Sequence, residues 1–166
     1  MNEEIDIALT AFEVRTYKNF IDSGDIAVDE EATVLVGKNE AGKSTLLDAL
    51  WRLNPANEPE RGFDFTLDYP RWLKKEHEGQ QVAGDQPPIS ATFRLGAGTF
   101  ERLQAEFGTG VLVAPSFTAI RKYEGELEVR VDINTEAWVR AFAASHPEIW
   151  PDPTSASTIE QLVADL

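Results

Sequence analysis

Nine consecutive residues constrain this chain more than anything else in it: Gly37-Lys38-Asn39-Glu40-Ala41-Gly42-Lys43-Ser44-Thr45 fills every fixed position of the pattern G-x-x-x-x-G-K-[ST]. Such a loop works only between a strand and a helix. The flanking residues predict both. Ala32-Thr33-Val34-Leu35-Val36 reads as a short, fully buried strand that runs straight into the first glycine. From Lys43 to Leu53, Leu46, Leu50 and Leu53 recur at helical spacing with Leu47 and Trp51 beside them, and Asn54-Pro55 stops the pattern. A plain glycine-rich turn would account for the glycines, but not for Lys43-Ser44-Thr45 opening a helix.

Each position of the motif predicts a task. Gly37 and Gly42 are expected to let the backbone turn tightly enough for successive N–H groups, from Lys38, Asn39, Glu40 and Ala41 onward, to point at phosphate. The helix N-terminus adds a favourable dipole. Lys43, the expected catalytic residue, reaches the β- and γ-phosphate oxygens, and the Ser44 hydroxyl is the expected Mg²⁺ ligand. Thr45 adds a hydroxyl at the α-phosphate. The expected ligands are ATP and Mg²⁺.

Elsewhere the pattern is mostly that of a sheet. Residues 5–14 largely alternate, with a break near Thr10 and Ala11; Ser23-Gly24-Asp25 marks a turn, and residues 26–28 are placed to pair back. Residues 55–88 hold five of the nine prolines and much charge, and read as an irregular insertion with a short helix over 72–78. Strands are expected at 89–95, 111–114, 117–123 and 127–133, the last two joined at Glu124-Gly125. Helices are expected around Phe100, Leu103 and Phe107, closed by Gly108, and around Trp138, Val139 and Phe142, ending near His146-Pro147. Ser157 and Glu160 form a capping box before Ile159, Leu162, Val163 and Leu166, a helix that the chain end cuts after about two turns. A truncated protein is one reading of that end; a natural C-terminal helix docked on the core is the other.

Composition limits the classes. A net charge of −14 argues against a nucleic-acid-binding surface built from this segment alone, because duplex affinity rests on Lys and Arg. The densest basic group, Arg71, Lys74 and Lys75, is followed at once by acids. With no cysteine there is neither disulfide nor thiolate metal site, and a reducing, cytoplasmic setting without membrane insertion is expected. Asp64, Asp68 and Glu76 to Glu78 suggest a metal or nuclease centre, but a solvated acidic face is the simpler reading. His77 and His146 lack partners at zinc-ligand spacing.

The run from Val36 to Leu50, preceded by Tyr17-Lys18-Asn19-Phe20, resembles the start of the RecF, SMC and OLD (overcoming-lysogenization-defect) ATPases, which have ABC-type heads. The resemblance is close over about residues 5–54. It implies an α/β P-loop NTPase core with an adjoining antiparallel β-lobe, a head that binds ATP and homodimerises around it, and action on DNA through a larger assembly in repair or phage defence. It also places Arg15 or Lys18 within reach of adenine or ribose; taken alone, these residues read as an ordinary surface pair. Walker B and signature motifs are not found. Val129-Arg130-Val131-Asp132 alternates like a half-exposed strand, and Val111-Leu112-Val113-Ala114 runs into Pro115 without an acid. The expected organisation is therefore the N-terminal portion of one ATPase domain: 1–54 strand, loop and helix; 55–88 insertion; 89–133 β-lobe; 134–166 helices. Hydrolysis would need a missing C-terminal half. A complete small P-loop kinase and a non-catalytic nucleotide-binding module are the alternatives, and a GTPase is disfavoured by the lack of N-K-x-D and D-x-x-G elements.

Overall fold

The structure is a computed structural model that describes residues 6–56, 62–77, 87–123, 125–149 and 158. It is a mixed α/β fold. Strand β1 (Ile7–Tyr17) continues through the expected break at Thr10 and Ala11, because β3 (Ile26–Ala27) pairs antiparallel with it there, Ala11 opposite Ala27 and Phe12 opposite Ile26. β2 (Phe20–Asp22) pairs antiparallel with its end, Tyr17 opposite Phe20. Next come α1 (Lys43–Leu53), α2 (Phe65–Asp68), α3 (Arg71–His77), β4 (Ile89–Leu95), α4 (Ala97–Phe107), β5 (Leu112–Arg121), β6 (Leu127–Ile133) and α5 (Thr135–Ser145). The sheet order is β2-β1-β4-β5-β6.

The chain divides into two compact units. Ala8–Phe93 with Thr118–Arg130 holds the glycine loop; Arg94–Phe117 with Val131–Leu166 and the first seven residues forms the other. In the first unit, Phe12, Val14 and Tyr17 of β1, Leu46, Ala49 and Leu53 of α1, and Ile89 and Ala91 of β4 are buried. The spacing of 46, 49 and 53 is one helical stripe. In the second, Val139 and Ala143 of α5 are fully buried, with Trp138 and Phe142 packed against them. Gly108 ends α4 at φ 110°, and a Cβ there would stand 2.5 Å from the Ala141 Cβ, so both the turn and the close approach require glycine.

Several expectations change. Residues 32–36 form no strand, and Val34 and Val36 are 77% and 89% exposed. A strand buried on both faces needs neighbours to bury it, and none pairs with these residues among those described. The two strands expected at 111–114 and 117–123 are one, β5, which passes through Pro115; proline removes one ladder donor but favours extended backbone before it. The β5–β6 connection is accordingly wider than a two-residue turn, running from residue 122 to 126.

The insertion is more ordered than its composition suggests. Phe63 is buried and meets Tyr17 edge to face, with ring centroids 5.1 Å apart, while Phe65 and Tyr69 both pack on Tyr123. The short helix starts at Arg71 in place of 72, after Asp64 has capped α2 through the N–H groups of Thr66 and Leu67. The helix expected from 157 to 166 lies outside the described residues, Thr158 apart.

Candidate functional site

The glycine loop enters α1 without a side-chain cap. Gly42 is the N-cap at φ 89°, no acid lies in the first turn, and the amides of Lys43 and Ser44 have no hydrogen-bond partner among the described residues. Thr45 and Leu46 donate to the Gly42 carbonyl at 2.9 and 3.1 Å, so the helix begins at once. A helix start with free amides and no acid in its first turn favours an anion.

The left-handed positions of the loop are Glu40 (φ 67°) and Gly42. Gly37 is not one of them: its backbone lies outside that region, and a Cβ there would make only ordinary contact with Ala41. The expectation that both glycines make the turn is corrected to Gly42 alone, with Glu40 carrying the other left-handed residue. Gly42 is also pinned sterically, since a Cβ would lie 2.6 Å from the Phe20 ring and 2.9 Å from Asn19 Nδ2.

A cavity of about 600 Å³ opens at this point, lined by Asn39, Glu40, Gly42, Lys43, Ser44, Thr45 and, from the β1–β2 turn, Asn19. The loop residues expected to act together are thus gathered, except that Gly37, Lys38 and Ala41 are not in the lining. Lys43 Nζ donates to the carbonyls of Gly37 and Lys38, both at 2.8 Å, holding the loop closed on its own ammonium. An incoming phosphate would take over those donors. Ser44 is exposed in the first turn beside Lys43, where a hydroxyl suits a hard, oxygen-seeking cation such as Mg²⁺.

Behind the loop lies a polar cluster that sequence reasoning missed. Asp48, one turn into α1, accepts from the Tyr17 hydroxyl at 2.5 Å and from Lys18 Nζ at 2.6 Å, and Arg52 lies 3.4 Å from it. Arg52 also pairs with the buried Asp68 at 2.8 Å, and the Lys18 amide donates to the Asp68 carbonyl at 2.7 Å. Partial burial works against the Asp48 charge, but the hydrogen bonds from Lys18 and Tyr17 and the Arg52 charge outweigh it and hold the carboxyl below its usual range. Burial, followed by the bond to Asp48, pushes the Tyr17 phenol up, so it stays a donor. The spacing of Asp48 and Arg52 on one helix face was the available sequence signal; their partners at 17, 18 and 68 were not.

Arg15 and Lys18 are not directed to the cavity lining: Arg15 pairs with Glu13 and Asp22, Lys18 with Asp48. Asp64 is a helix cap and Asp68 an ion-pair partner, and no metal-binding cluster of acids and histidines occurs among the described residues. His146 stacks on Phe142 and contacts Ser145. Asp132 is exposed on β6, whose apolar residues Leu127, Val129, Val131 and Ile133 are exposed as well.

The model of one sequence family, described as the P-loop containing region of the AAA domain, matches residues 9–59. That span runs from β1 through the loop and α1, the part of the chain that builds the cavity. Over it the chain is similar to an AAA-type P-loop region, and nucleotide binding is the activity such a region supports. No curated protein matches the chain. No helix among the described residues is long and apolar enough to cross a membrane.

Proposed function

We propose that residues 1–166 are the N-terminal portion of an ABC-type ATPase domain of the RecF, SMC and OLD kind, binding ATP with Mg²⁺ on Gly37 to Thr45. The observation that carries the reading is the uncapped start of α1, where the amides of Lys43 and Ser44 have no partner among the described residues, at a cavity lined by Lys43, Ser44 and Thr45. In this reading Lys43 leaves the carbonyls of Gly37 and Lys38 for the β- and γ-phosphates, the backbone from Lys38 to Gly42 wraps the phosphate chain, and Ser44 is a ligand of Mg²⁺. Thr45 lies at the α-phosphate.

Hydrolysis requires a Walker B carboxylate and a signature motif from elsewhere in the full protein, which would homodimerise around ATP and act on DNA in repair or phage defence, in the cytoplasm. The exposure of Val34 and Val36 supports this reading: the segment feeding the loop is apolar enough for the middle of a sheet and has no partner strand among the described residues.

The test is titration of a fluorescent ATP analogue with Mg²⁺ into the chain and into Lys43→Ala, following phosphate release in the same samples. The proposal expects binding that the variant loses, with phosphate release at the variant's background. Brisk turnover by the 166 residues would sink the incomplete-head reading in favour of a self-sufficient P-loop enzyme. Equal binding by both chains would remove the loop as the site.

A further inference from the structure

The β1–β2 turn brings one polar side chain to the cavity from outside the glycine loop. Asn19 lines it together with Lys43, Ser44 and Thr45, and its Nδ2 lies 2.9 Å from the point a Gly42 Cβ would occupy. Asn19 is exposed and has no hydrogen-bond partner among the described residues.

The turn itself does not explain the asparagine. Asn is the non-glycine residue best suited to left-handed backbone, yet here Lys18 takes that conformation, at φ 51°, and Asn19 does not. Lysine gains nothing from such a backbone, so the turn keeps an unfavourable residue at the strained position and an uncommitted amide beside it.

The turn is also fastened at every neighbouring residue. The Tyr17 hydroxyl and Lys18 Nζ both bind Asp48 of α1, the Lys18 amide binds the Asp68 carbonyl, and the Phe20 ring lies against Gly42. Four anchors hold the turn around an Asn19 amide that makes no bond among the described residues.

We propose that Asn19 Nδ2 donates a hydrogen bond to a phosphate oxygen of the bound nucleoside triphosphate, with Tyr17, Lys18 and Asp48 as the residues that position it. This rests on the nucleotide reading of the loop. A neutral amide suits the place, since it adds a donor beside the helix start without neutralising Lys43.

The experiment is equilibrium titration of Mg²⁺ and a fluorescent ATP analogue into the full chain and into Asn19→Ala, Asn19→Asp and Lys43→Ala, with thermal midpoints measured in parallel. Asn54→Asp, at the far end of α1, is the control for added charge. Loss of a hydrogen bond to a charged group predicts about tenfold weaker binding for Asn19→Ala. Asn19→Asp, isosteric and equally at home in a turn, is expected to bind more weakly still, because its carboxylate would face phosphate. Asn54→Asp should stay within about twofold of wild type, given screening over that distance. If Lys43-dependent binding is intact and Asn19→Asp binds as tightly as wild type, or Asn19→Ala is the weaker of the two, Asn19 is only a turn residue and this inference falls alone. If the wild-type chain does not bind, or Lys43→Ala binds equally, the nucleotide reading falls and takes the inference with it.

Discussion

Gly42 carries two constraints at a single residue. Its φ of 89° is unfavourable for any L side chain by about 1–2 kcal/mol, and a Cβ would enter the Phe20 ring at 2.6 Å. Gly42→Ala is therefore expected to lower the thermal midpoint and to abolish ATP binding together. Adding Phe20→Ala should relieve the ring clash and leave the backbone strain and the 2.9 Å approach to Asn19 Nδ2, so the double variant should recover only part of the midpoint. Asp48 gives a second expectation at this scale. Its carboxyl is held below the usual range when folded, so below about pH 4 the unfolded chain binds more protons than the folded one. Its contribution to stability is present above the unfolded value and is lost as pH falls through the folded value. Asp48→Asn should be less stable at neutral pH and should show a shallower loss on acidification, measured by urea midpoints across that range. Of these details the sequence shows the motif and its chemistry. It does not show that Glu40 shares the left-handed geometry in place of Gly37, because a backbone angle leaves no trace in residue type there.

Among the elements, α1 was legible to the residue: Lys43 begins it and Asn54-Pro55 ends it, as a motif followed by leucine spacing and a stop predicts. The insertion was not, because its order comes from tertiary pairing. Arg52 Nη1 reaches the buried Asp68 at 2.8 Å and the Gly62 carbonyl at 3.3 Å, and Phe63 and Tyr69 bury themselves on residues far along the chain. No local period announces such contacts. Arg52→Met should leave the Asp68 carboxylate buried without its partner, at a cost of about 3 kcal/mol in unfolding free energy. Asp68→Asn in the same background is expected to recover part of that loss, and chemical denaturation of wild type, Arg52→Met, Asp68→Asn alone and the double variant would measure the coupling. Strands failed where length had to be judged: β5 runs from Leu112 to Arg121 through Pro115, since sheet neighbours on both sides override one missing donor.

For the whole molecule, the fold class was legible and the fate of its most apolar strand candidate was not. Residues 32–36 have the composition of a central strand, and composition alone does not say whether the neighbours are there. Val34 and Val36 stand exposed beside the loop they feed, and Leu47 on the outer side of α1 is 55% exposed. The proposed head explains this as a sheet completed by the rest of the protein, while the residues that line the cavity, Asn19 and six from Asn39 to Thr45, all fall within the matched span 9–59. The central claim, that these residues hold the phosphates of ATP, is tested most directly by nuclear magnetic resonance of the uniformly ¹⁵N-labelled 18.4 kDa chain, titrated with Mg²⁺ and ATP. The account predicts that the amides from Gly37 to Thr45 shift together, those of Lys43 and Ser44 most, with the Asn19 side-chain amide following. Saturating ATP that leaves those amides in place, or moves a different set, would contradict it.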